Sequence, residues 1–180
     1  MSRNKYKATS VWYDSVTQEI VSSLDIYEAR KRKDSHFLQR CLNFDSYHEY
    51  QVFLNLRRLF NSSNYDIHCH SPFLIIKPAI VFPRGKTWKI DFVVTTKDQQ
   101  VVALVEAKGV ITKDFPLILA CLEINQPKLF NELFLVFNNS GKTTKKWLKT
   151  LKDTSFGSRI VDIQSMHLIP QMIFKRTNDD

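Results

Sequence analysis

The chain has 180 residues, enough for one well-buried core and too few for two comfortable ones. Apolar residues make up 43% and charged residues 24%, an ordinary globular balance, and no apolar run approaches the roughly 18 residues of a membrane helix. Lys and Arg outnumber Asp and Glu by 26 to 18, and the net charge of +8 favours polyanionic partners, nucleic acid ahead of anionic membrane.

The first ten residues are basic but lead into no apolar stretch, which argues against a secretory signal. Cys41, Cys69 and Cys121 are odd in number and lack CxxC spacing, so they read as reduced thiols of a cytoplasmic protein. Val11-Trp12-Tyr13 and Glu19-Ile20-Val21 flank a polar turn and predict a hairpin. The charged segment Glu28–Asp34 follows, then a short apolar stretch from His36 to Phe44. Residues 1–44 thus form an N-terminal β-rich extension to a single core domain at 45–180.

From Ser46 to Phe60, Val52, Phe53, Leu56, Leu59 and Phe60 fall on one helical face. Residues 61–64 are turn formers, and Tyr65 to Ile76 is a strand. Residues 77–86 hold two prolines and a glycine and form a loop. Trp88–Thr95 and Val101–Lys108 are strands joined by a turn at residues 97–100. Asp114–Glu123 is a helix, Leu133–Phe137 a wholly apolar strand, Thr143–Lys152 a basic amphipathic helix, and Arg159–Ile163 a last strand. The order is that of an α/β protein with a central mixed sheet flanked by helices.

The strand from Val101 to Lys108 carries the chemistry. Its first five residues are apolar at both parities, which marks a central strand covered on both faces. Glu106 and Lys108 then appear at its C-terminal end, two apart and on one face. The preceding strand is apolar but for Lys89 and Asp91, and antiparallel pairing can bring Asp91 to Glu106. A buried salt-bridge cluster is the plain structural reading of these three charges. The chemical reading is a metal site: carboxylates hold Mg²⁺ or Mn²⁺, the Ala107 carbonyl adds an oxygen ligand, and Lys108 serves the attacking water.

Asp91 followed after fourteen residues by Glu106-Ala107-Lys108 resembles the D…(D/E)xK signature of the PD-(D/E)XK nuclease superfamily. The element order from residue 45 to 137 is similar to that family's αβββαβ, restriction-endonuclease-like core, although Ile90 stands where the family has proline. The resemblance implies a Mg²⁺-dependent DNA endonuclease of mobile-element, phage, homing or transposon end-cutting type. A structure-specific junction resolvase and a non-cleaving nucleic-acid-binding protein on the same fold are the alternatives. The family's first-helix glutamate corresponds to Glu49, which the periodicity puts on the apolar stripe as a catalytic or metal-binding group. Ser46-x-x-Glu49 is equally a capping box.

Arg30, Lys31, Arg32, Lys33, Arg57, Arg58, Lys142, Lys145, Lys146 and Lys149 are candidates for phosphate contacts, against the plainer reading of solvated charge. A homodimer or a partner subunit is expected if both strands are cut. Asn139-Ser140-Gly141-Lys142-Thr143 fails as a nucleotide site, because Val136 stands where the loop needs its first glycine. His68-Cys69-His70 lacks a second ligand pair at zinc spacing and reads as a half-exposed strand face.

Overall fold

The computed structural model describes residues 9–81, 83–138, 148–151, 153–154 and 156–179. The chain divides into two compact units, Met1–Gln51 and Val52–Asp180.

In the first unit, β1 (Val11–Asp14) and β2 (Glu19–Val21) pair antiparallel with Trp12 opposite Val21, the hairpin that the sequence predicts. The other edge of β1 takes β3 (Cys41–Phe44), giving a sheet of order β2-β1-β3. Buried Asp14 fixes this corner. Its carboxylate accepts the N–H groups of Val16 and Thr17 and pairs with Arg40 at 2.9 Å. Helix α1 (Ser23–Arg32) starts on the Ser22 hydroxyl and ends at Lys33, whose φ of 56° is left-handed. The charged segment Glu28–Asp34 therefore supplies the last turn and cap of a helix that buries only Ile26 and Ala29. Helix α2 (Ser35–Arg40) is capped by Asp34 and leads into β3. Tyr13 and Phe44 pack on Tyr50, with ring centroids 5.7 and 5.8 Å away. Tyr50 belongs to α3 (Tyr47–Leu59), whose first turn completes this unit.

The second unit is built on one five-stranded sheet: β4 (Tyr65–Ile76), β5 (Lys86–Thr96), β6 (Val101–Lys108), β7 (Leu133–Phe137) and β8 (Ile160–Asp162), in that order. The first three are antiparallel, whereas β6, β7 and β8 run parallel, so the sheet is mixed as expected. Every residue of β7 is buried, as its unbroken apolar run requires. The β6–β7 crossover carries α4 (Phe115–Asn125) and α5 (Pro127–Asn131). Phe115, Leu119 and Leu122 of α4 join Trp88, Ile90, Leu104, Leu133 and Leu135 of the sheet in one core. On α3, Phe53 stacks on Phe92 of β5 at 6.1 Å. A final helix, α6 (Ile169–Asp179), follows a 3-10 segment. Among the described residues no helix is long and apolar enough to cross a membrane.

Between β4 and β5 the chain turns back through residues 77–85, the loop read from Pro78, Pro83 and Gly85. Gly85 has φ +63°, and a Cβ there would stand 2.4 Å from the Ile76 carbonyl oxygen. Only glycine fits both constraints. Gly85→Ala is expected to cost about 1–3 kcal/mol, read as a lowered Tm in thermal unfolding.

Candidate active site

The β5–β6 register sets Phe92 opposite Val105, so the next pair outward is Asp91 with Glu106. Both side chains reach across this pair. The Asp91 N–H donates to Glu106 Oε2 at 3.2 Å, and the Ala107 N–H donates to Asp91 Oδ2 at 2.8 Å. Glu106 and Lys108 share a face as their spacing predicts, and Lys108 Nζ donates to Glu106 Oε1 in an ion pair. The ammonium also stands over the ring of Phe115 on α4, 4.5 Å from its centroid. Asp91, Glu106 and Lys108 thus converge at the C-terminal end of a central strand, with α4 supplying one wall.

The three differ in their access to water. Glu106 is buried at 2% exposure, while Asp91 and Lys108 are half-buried. Burial first, and the Asp91 charge second, push the Glu106 carboxyl up to about 8 against the opposing pull of Lys108. A hard cation placed between the two carboxylates would stabilise both charges better than one ammonium does.

His70 is the site residue that sequence reasoning passed over. Cys69 lies opposite Phe92 and Ser71 opposite Ile90, so His70 falls opposite Asp91. Its φ of +54° breaks the alternation of β4 at that point. A ring nitrogen of His70 and a carboxylate oxygen of Asp91 lie within 4.8 Å, close enough to share one ion. His68 is engaged elsewhere, with Nε2 3.1 Å from Thr95 Oγ1. The sequence reads His68-Cys69-His70 as a half-exposed strand face; the hairpin register adds that His70 stands across from Asp91.

Glu49 lies in the first unit and is 4% exposed. Its Oε2 accepts the Asp45 N–H at 2.9 Å, while the Ser46 hydroxyl accepts the Glu49 N–H at 3.1 Å. The Ser46 half of the capping box expected from Ser46-x-x-Glu49 is thus present, while the Glu49 carboxylate reaches back one residue further, to Asp45.

The candidate phosphate-binding residues are dispersed. Arg30, Lys31, Arg32 and Lys33 are exposed at the end of α1, where positive charge also suits the helix dipole. Arg30 additionally stacks over Trp12 at 5.2 Å. Arg57 and Arg58 are exposed in the last turn of α3, and Lys149 is exposed. Lys142, Lys145 and Lys146 lie outside the described residues, as does the 139–143 segment. Cys41, Cys69 and Cys121 are thiols outside any disulfide.

Comparisons of the chain with protein-family models, with curated proteins and with solved structures give no match. The chemistry of the site therefore rests on its own geometry.

Proposed function

We propose that the chain is a metal-dependent DNA endonuclease of the PD-(D/E)XK type. One observation carries this reading: Asp91 and Glu106 face each other across β5 and β6, with Lys108 on Glu106. The order α3-β4-β5-β6-α4-β7, with an antiparallel trio joined to a parallel strand, supports a restriction-endonuclease-like core.

The donor set fits Mg²⁺ or Mn²⁺, since two carboxylates and the Ala107 carbonyl are hard oxygen ligands. His70, beside Asp91, adds a nitrogen that favours Mn²⁺ of the two. Glu49 caps the start of α3, and an accessory-ligand role for it rests on the family resemblance alone. Bound there, the ion would stabilise the negative charge that builds on the phosphate during in-line attack. Asp91 and Glu106 hold and orient the ion. Lys108 Nζ, held over the Phe115 ring, orients the attacking water. The half-buried Asp91 and Lys108 leave an approach for a phosphodiester, while the apolar sheet behind them excludes bulk water.

The test is cleavage of supercoiled, linear, branched and single-stranded DNA with Mg²⁺, Mn²⁺ or EDTA, beside Asp91→Ala. The expected result is cutting that needs a divalent ion and falls at least about 100-fold in Asp91→Ala. Binding without cutting on any substrate would overturn the enzyme in favour of a non-cleaving nucleic-acid-binding protein. Preference for branched DNA would identify a junction resolvase.

A further inference from the structure

We propose that the β4–β5 hairpin is a docking arm for double-stranded nucleic acid, with an aliphatic tip that enters a groove and basic flanks that grip phosphates. This inference rests on the nuclease reading for its substrate.

The tip is apolar and bare. Ile80 is 100% exposed and Val81 91% exposed, unlike the core-facing aliphatics of both strands that lead to them. Fully hydrated branched side chains at a loop tip gain free energy only from a partner. The flanks say which partner. Lys77, Arg84, Lys86 and Lys89 are all exposed. From Ile67 to Ile90 there is no Asp or Glu, although acids make up 18 of the chain's 180 residues. An acid-free basic segment around an apolar tip matches duplex nucleic acid, where cations take the backbone and an aliphatic wedge contacts or unstacks bases.

Position agrees with charge. β6 runs antiparallel to β5, so its C-terminal end, with Glu106 and Lys108, lies toward the end of β5 from which the loop emerges. Asp91 stands five residues into β5 from Lys86, about 17 Å at strand rise. A duplex turn spans about 34 Å, so one duplex can reach both the site and the arm. The arm is also pre-shaped. Gly85 closes its neck against the Ile76 carbonyl, and Gln126 Nε2 donates to the Leu74 carbonyl at its base at 3.2 Å.

Two variants of the full chain test this: Ile80→Ser/Val81→Ser at the tip, and Lys77→Ala/Arg84→Ala/Lys86→Ala on the flanks. Binding to a duplex of about 30 base pairs, roughly three turns, is followed by fluorescence anisotropy in EDTA across a salt series, and cutting is followed with Mn²⁺. The flank variant is expected to bind about 10-fold or more weakly and to lose about 0.9 from the log–log salt slope per phosphate contact removed. The tip variant is expected to bind about 10-fold more weakly with the slope unchanged. Unchanged binding by both would overturn the arm. So would a tip variant whose only change is loss of self-association in sedimentation, or loss of binding to vesicles of anionic lipid. The two readings fail separately. If wild type cuts and both variants bind normally, the arm fails alone. If both variants bind weakly but wild type cuts nothing, the nuclease fails and the arm stands.

Discussion

Lys108→Met is expected to reduce single-turnover cleavage by about 10²–10⁴-fold while leaving duplex binding in EDTA within about twofold of wild type. Methionine keeps an unbranched side chain at this position and removes the ammonium together with its contact to the Phe115 ring, while Phe115 keeps its own place in the core. Losing the ammonium has a second consequence. Glu106 loses the ammonium that does most to lower its proton affinity, so its carboxyl moves further up and binds an ion less readily near neutrality. Measuring cleavage up to about pH 9.5 at saturating Mn²⁺ separates the two effects, since there Glu106 is brought toward ionisation by pH and by the ion. If Lys108 only tunes Glu106, high pH and excess metal restore the wild-type rate, and its proposed role at the water is wrong. A loss that persists under those conditions is the expected outcome.

Stability in the absence of metal should fall as pH rises from about 4.5 to about 8. Glu106 carries its proton in the folded protein up to about pH 8, whereas the unfolded chain releases it near the ordinary value of 4.5. Between those values the folded state binds more protons, so the Glu106 contribution is complete below the lower value and is lost through the upper one. The loss across the whole window is on the order of a few kcal/mol. The pairing with Lys108 eases the loss without reversing its sign, because the net shift already includes it. Urea unfolding in EDTA at pH 5.5 and 8.5 reads this directly. Glu106→Gln should flatten the dependence, and Mn²⁺ should raise stability most at the alkaline end, where the carboxylate is free of its proton. A metal-free protein equally stable at both values would contradict the burial argument.

Much of the second unit was legible because its signals are long and local. The apolar runs Val101–Val105 and Leu133–Phe137 are covered on both faces, and β6 and β7 begin and end where those runs with their charged tail predict. The face shared by Glu106 and Lys108 follows from strand geometry alone, and the Asp91–Glu106 pairing needed only an antiparallel register. Other elements left weak traces. Helix α1 buries just Ile26 and Ala29, too few positions to declare a period among ten mostly polar residues. Helix α5 has five residues, shorter than two turns, and follows Gln126 so closely that the Asn125–Pro127 stretch reads as a helix end. His70 was illegible for a different reason. Alternation assigns a strand residue to a face only while φ stays extended, and at His70 it does not.

That same kink bears on how the protein avoids its own kind. β4 is a terminal strand of its sheet and, at 12 residues, a long one. Straight edges of that length offer a row of amide donors and acceptors to which a second molecule's strand can zip, the first step toward aggregation. The left-handed residue at His70 disturbs the row near its middle, and Pro72, two residues on, brings no amide hydrogen to it. The histidine beside Asp91 thus also interrupts the row of edge amides through which a further strand would pair.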